Sequence, residues 1–254
     1  MTTVQSTKAF ALIGDRYHNS DYIRTALKKT LVEALGLHID FRDEVTLLSA
    51  ETLTRYPLLI VFRDGMLWPD GYGPQAQYPG FDGADLVSAP PVPEREPRSV
   101  QWIASEQGRA VRDFVEAGGA ALFYHNSTYI SPGSEDFRHV QGSTTEGHPA
   151  VRPYRVEIVH REHPITRGVR DFVVTDEQHY MHYDKNPQYV LALSINDEGH
   201  TYKDLGSRCQ AAWAYDYGQG RVCYLAPGHT IAALWNPEYE KMQQNAVRWL
   251  LRQI

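Results

Sequence analysis

Leu58-Leu59-Ile60-Val61-Phe62 is five consecutive apolar residues with no polar side to turn toward water. A run of this length bounded by turn signals reads as a strand buried on both faces, and such strands belong to parallel sheets covered by helices on each side. The residues around it agree. Upstream, Lys8 to Gly14 (KAFALIG) is a second apolar run closed by glycine, followed by a helical pattern from about Asp21 to Leu35. Ser20 is placed to cap that helix, Ile23, Leu27 and Leu31 share one face, and Gly36 stands where a left-handed residue ends a helix. His38 to Phe41 then reads as a strand and Ser49 to Arg55 as a short helix. Downstream, a helix from Ser105 to Ala117, the break Gly118-Gly119 and the buried run Ala120 to Tyr124 repeat the unit. Strands alternating with helices imply right-handed crossovers and a mostly parallel central sheet with helices on both faces, an α/β fold.

The second half is richer in strands. Tyr154 to His160 alternates, Tyr189 to Ser194 is a strand candidate, and Cys209–Tyr217 with Arg221–Ala226 reads as a hairpin around Gly218-Gln219-Gly220. Asn236 caps a closing helix with Pro237 at its first position and Tyr239, Met242, Ala246 and Trp249 along one face. Between these halves, Arg63 to about Val100 breaks the pattern with crowded Gly, Pro, Asp and aromatic residues. So long an irregular stretch after a buried strand reads as an insertion covering one end of the sheet, where Trp68, Tyr72 and Tyr78 would either stack on a ligand or pin the loop to the core. The whole of 1–254 is read as one domain.

Composition narrows the function. A hydrophobic share of 42% among 254 residues is enough for one sizeable core and excludes overall disorder. The net charge of −6, with Lys and Arg scattered singly, offers no stripe to neutralise phosphates, so nucleic acid is not an expected partner. No stretch approaches the roughly 18 apolar residues of a membrane span, and residues 1–8 lack the apolar core of a secretion signal, so the expectation is a cytoplasmic protein without membrane contact. Homo-oligomer formation is left open. Cys209 and Cys223 are too few for a disulfide framework and too far apart for a thiol redox or zinc motif.

In open α/β sheets ligands bind beyond the carboxyl ends of the strands. Four such places carry polar residues: Asp15 to Asn19, His125 to Thr128, Asp176 to Tyr180, and Gly228-His229-Thr230. A lone histidine there is more often structural than catalytic, but ends of neighbouring parallel strands converge. His18, His125 and His229 are therefore expected in one crevice, with Glu177 as a nearby carboxylate. Imidazoles beside a carboxylate suit either acid/base chemistry near neutral pH or a divalent metal held by His18, His125 and His229, and spacing does not decide between them. His179 and His182 flank Tyr180 and are weaker candidates for the crevice. His148 and His163, each before a proline, read as turn openers, and His38, His139 and His160 have no evident partner.

Gly118-Gly119 before a strand into His125-Asn126-Ser127, then His163-Pro164-Ile165-Thr166-Arg167-Gly168, Asp176-Glu177 with Tyr180, Tyr217-Gly218-Gln219-Gly220-Arg221-Val222 and Gly228-His229-Thr230 occur in the order seen in ThuA-like (trehalose utilisation) proteins. The chain resembles that family over nearly its full length, the insertion at 63–100 excepted. The resemblance implies a flavodoxin-like fold related to class I glutamine amidotransferases. It also implies association with bacterial use of trehalose and related disaccharides through 3-keto sugars, so that a small carbohydrate is the expected partner. On that basis His18, His125, Glu177 and His229 are the catalytic candidates, and Asp15, Asn126, Tyr180 and Thr230 the substrate-binding ones.

Amidotransferases carry a cysteine nucleophile on the sharp turn after a central strand. Here that turn holds His125-Asn126, which argues against thiol-based hydrolysis, and Ser127 lacks the small-residue context of a serine nucleophile. Two readings remain: an enzyme acting on a disaccharide or keto-sugar, and a non-catalytic sugar-binding or regulatory protein on the same scaffold.

Overall fold

The computed structural model describes residues 8–71 and 98–254. Its centre is a nine-stranded sheet. In chain order the strands are β1 (Lys8–Ile13), β2 (His38–Arg42), β3 (Leu58–Phe62), β6 (Ala120–Tyr124), β8 (Arg152–Ile158), β9 (Phe172–Asp176), β11 (Val190–Ile195), β12 (Arg208–Tyr217) and β13 (Gly220–Leu225). Their spatial order is β2-β1-β3-β6-β13-β12-β11-β8-β9. From β2 to β13 every neighbouring pair is parallel; from β13 outward to β9 every pair is antiparallel. The parallel half matches the alternation read from the sequence, and the antiparallel half is built by the β12–β13 hairpin, closed by Gly218-Gln219.

Every residue of β3 and β6 is buried, as a strand covered on both faces requires. The helices α1 (Ser20–Leu27), α5 (Ile231–Leu234) and α6 (Pro237–Leu250) touch one another and form one layer. The helices α2 (Ala50–Leu53), α3 (Ser105–Glu116) and α4 (Glu135–Gln141) form another. The cap of α1 is Asn19, one residue before the expected Ser20: its side chain accepts from the Asp21 N–H, and Ser20 is already helical. Past Leu27 the helix widens through Lys28–Glu33 and ends at Gly36 with φ +67°. Asn236 and Pro237 open α6 as read.

Several elements were not legible. The short strands β7 (Ser143–Gly147) and β10 (Tyr180–Tyr183) pair with each other apart from the main sheet, and β9 ends at Asp176, just before Glu177. The insertion begins and ends in a two-residue ladder, β4 (Met66–Leu67) against β5 (Val100–Gln101), which ties its two ends together. Tyr72, Tyr78 and the rest of 72–97 lie outside the described residues. No helix among the described residues is long and apolar enough to cross a membrane.

Cys209 and Cys223 lie inside β12 and β13, both buried and both without a disulfide. Burial pushes the Cys209 thiol up to about 11 and that of Cys223 further still, so neither is a thiolate at neutral pH. In a thiol-reagent assay the native protein should therefore react at least 100-fold more slowly than the same chain in denaturant. Rapid labelling of either cysteine in the folded state would contradict this placement.

Candidate active site

The ends of β1, β3 and β6 open on a common cleft of about 430 Å³, within the range of small-molecule sites. Tyr17 and His18 follow β1, Asp64 and Met66 follow β3, and Asn126 and Tyr129 follow β6. His148, Glu177 and His179 complete the lining.

Glu177 stands at the focus. Around its Oε2 lie His229 Nδ1 at 3.2 Å, His125 Nε2 at 3.3 Å, His179 Nε2 at 3.4 Å, His148 Nε2 at 3.5 Å and His18 Nε2 at 4.0 Å. Burial alone would raise this carboxyl, but the imidazoles of His125, His179 and His229 gathered around it more than reverse the effect and keep Glu177 ionised. The same bond to Glu177 raises His229, whereas burial and the neighbouring His125 hold His179 neutral.

The far side of each ring fixes what faces Glu177. His125 Nδ1 is 2.7 Å from the Ala226 carbonyl oxygen, and His148 Nδ1 is 3.0 Å from that of Pro149. A carbonyl only accepts, so Nδ1 carries the proton in both and Nε2 is left with a lone pair. His18 Nδ1 lies between Asp15 Oδ1 at 2.9 Å and the Asn126 amide nitrogen at 2.8 Å. In their neutral forms the rings of His125 and His148 aim Nε2 lone pairs at an anionic oxygen, while His18 Nε2 lies 3.1 Å from His229 Nδ1. His125 Nε2 is fully buried and has no hydrogen-bond partner. Lone pair against carboxylate is repulsive, and either extra protons or a cation between them removes the conflict. Imidazoles locked by a carboxylate or carbonyl on one nitrogen and converging with the other are the arrangement in which proteins hold divalent metals. The residues present fit such an ion.

Two buried carboxylates build the frame. Asp15, whose side chain has no exposed surface, accepts from the backbone N–H groups of Tyr17, His18 and Asp64 and from the Asn126 amide at 2.6 Å. It is thus a positioning residue with no acceptor left for substrate. Asp176, also fully buried, accepts from the N–H groups of Glu177, Gly228, His229 and Thr230. Gly228 has a steric reason: a Cβ there would stand 2.6 Å from that of His125.

The structure brings His18, His125, Glu177 and His229 together, with ring centroids 4.9 Å apart for His18 and His125, 5.0 Å for His18 and His229, and 6.1 Å for His125 and His229. Asn126 lines the cleft. Two expected sugar contacts lie elsewhere: Thr230 Oγ1 is used to cap α5 and to donate to Thr175, and Tyr180 is buried with its ring stacked on Tyr202. His182 is exposed and paired with Glu146. Sequence reading missed His148, taken as a turn opener, and Asp64, and it gave His179 little weight. No local signal marks His148; only the pairing of β7 with β10 carries it to Glu177.

The site and fold together describe an α/β protein with a histidine–carboxylate centre at the carboxyl ends of its strands. Residues 94–250, more than half of the chain, match the family model described as ThuA, trehalose utilisation. The chain belongs to the ThuA family. A ThuA-like protein of Parabacteroides merdae superposes with a TM-score of 0.69 at 15% identity, covering 97% of this chain and 90% of that one. One of Bacteroides uniformis gives 0.66 at 16%, covering 98% and 94%. The β-galactosidase of Rahnella sp. R3 gives 0.57 at 15%, covering 98% of this chain but 32% of that larger one. At these identities the likeness is one of fold, consistent with a flavodoxin-like architecture. No curated protein matches the chain in sequence.

Asp176→Asn keeps the shape but removes the charge from an acceptor of four backbone donors. It should cost roughly 2–4 kcal/mol of stability, read as a lowered midpoint in urea; an unchanged midpoint would show that the Gly228–Thr230 turn does not depend on Asp176. Asp64 behaves oppositely to most carboxylates, since burial first and the Asp15 charge second raise it to about 7. A raised folded-state value means that its contribution is fully present below the unfolded value near 4 and is lost as pH rises through about 7. Asp64→Asn should therefore raise the melting temperature by several degrees at pH 8 and leave it nearly unchanged at pH 4. Equal shifts at both pH values would refute that ionisation.

Proposed function

We propose that the protein is an enzyme of carbohydrate metabolism that acts on a disaccharide or 3-keto-sugar by metal-assisted acid/base chemistry at the Glu177 centre. The observation that carries this reading is the convergence of five imidazoles, those of His125 and His148 fixed from behind by backbone carbonyls, on one ionised carboxylate, which a protein that merely binds sugar does not need. Family membership supports the carbohydrate; the cleft volume and the rings of Tyr17 and Tyr129 in its lining suit a small polyol with apolar C–H faces.

A ketone acidifies the neighbouring C–H, so the reaction asks for a base, a proton donor and a way to spread negative charge onto oxygen. A bound divalent ion would polarise the ketone. His18, His125 and His229 are placed to hold it, each steadied from behind: His18 by Asp15, His125 by the Ala226 carbonyl and His229 through its backbone by Asp176. Asp64, with a carboxyl poised near neutrality inside the cleft, is suited to hand a proton to and take one from a substrate hydroxyl or carbon. Asn126 is held by Asp15 and presents its amide to the cleft floor.

His229→Ala should abolish turnover of a 3-keto-disaccharide by about 10²- to 10⁴-fold and lower bound metal, with little change in melting temperature, because the ring is partly exposed and buries modest apolar area. Turnover, metal content and thermal denaturation on the same preparations check it. Full activity in the variant, or tight sugar binding by a metal-free wild type that turns over no keto-sugar, would favour the binding reading instead.

A further inference from the structure

We propose that the centre holds two divalent ions bridged by Glu177, one on His18, His125 and His229 and the second on His148 and His179. The inference rests on the metal reading above and extends it.

The donors fall into two sets that share Glu177: His18, His125, Glu177 and His229 in one, His148, Glu177 and His179 in the other, each with all its donor atoms within 4.8 Å of one another. A tetrahedral ion with bonds of about 2.1 Å separates its ligands by about 3.4 Å. Four nitrogens, those of His229, His125, His179 and His148, stand 3.2, 3.3, 3.4 and 3.5 Å from Oε2. A single tetrahedral ion that takes Oε2 has room for three nitrogens at that separation, so the fourth and His18 have no place on it. One octahedral ion taking all six donors would hold every pair within about 4.2 Å, a single compact set instead of two. A carboxylate oxygen ringed by more imidazoles than one ion accepts is the position of a bridging ligand.

The second set has its own support. His148 Nδ1 is 3.0 Å from the Pro149 carbonyl, which leaves its Nε2 lone pair for the metal. Its ring stacks on that of His179 at 4.9 Å and 9°, so the two present their edges side by side. His179 is buried, and its Nδ1 is without a partner. Both rings line the cleft, whereas His125 is wholly enclosed, so the second ion would face the substrate. Five imidazoles with one carboxylate suit a borderline-soft ion such as zinc over magnesium or calcium. A two-ion site offers its substrate a pair of adjacent Lewis acids, matched to the vicinal oxygens of a keto-sugar.

The test is metal stoichiometry on chelated protein reloaded with Zn²⁺ and freed of excess, with Co²⁺ titrated in parallel and followed by visible absorption. Wild type should hold two ions per chain, with a break at two equivalents of Co²⁺. His148→Ala with His179→Ala should hold one, and His18→Ala with His229→Ala should lose the other. One ion per chain in wild type, unchanged by His148→Ala, overturns the second ion and leaves the single-ion reading standing. No ion at all overturns both. Because the double variants risk misfolding, the wild-type Co²⁺ titration decides the number by itself, and His148→Asn on the cleft surface provides a milder loss of the second site.

Discussion

The carboxylate of Asp176 is what joins the two halves of the molecule at the site. In sheet order β9 is four places from β13, a separation of about 19 Å if the sheet were flat. Yet Asp176, the last residue of β9, accepts from the backbone of Gly228, His229 and Thr230 just past β13. The antiparallel extension must therefore curl back over the strand ends. One buried anion gathers four N–H donors, and in doing so it sets Glu177 on one side and His229 on the other. Without it the Glu177 carboxylate and the His229 ring would belong to separate loops.

Asp15 plays the matching part at the opposite wall. It orients His18, holds Asn126 and ties down the start of the Arg63 to Val100 insertion through the Asp64 N–H. Two fully buried aspartates are costly unless every acceptor is used, and here backbone donors use them. The consequence for Asp64 is direct: a third carboxylate beside Asp15 in a dry site is held near neutral pKa, which turns a structural expense into a group able to exchange protons.

How much of this was written in the sequence depends on range. The parallel core was legible because LLIVF and AALFY have no polar face, and His18, His125 and His229 could be brought together because each follows a strand of one sheet. Tyr180 and Thr230 were misplaced because adjacency in sequence to Glu177 and His229 says nothing about which way a side chain turns: Tyr180 enters β10 and meets Tyr202, while Thr230 caps a helix. His148 was invisible because Gly147-His148-Pro149 has only the chemistry of a turn. Its role arises from the β7–β10 pairing, a contact between short polar strands with no hydrophobic periodicity to announce it.

The turn after β6 shows how one backbone device serves different chemistries. His125 has φ +45°, a left-handed conformation that costs a non-glycine residue about 1–3 kcal/mol. It is held there on every side. Tyr224 donates to its carbonyl at 2.8 Å, the Ala226 carbonyl takes its Nδ1 proton, and Gly228 leaves the room its Cβ occupies. A strained turn at the end of a central strand points one side chain at Glu177 and lets little else move it. In the amidotransferase fold that this family's architecture resembles, that position presents a thiol for nucleophilic attack. An imidazole whose outer nitrogen is locked to a carbonyl carries its proton there and turns the other nitrogen inward, the arrangement of a metal ligand or a base and not of a thiol nucleophile.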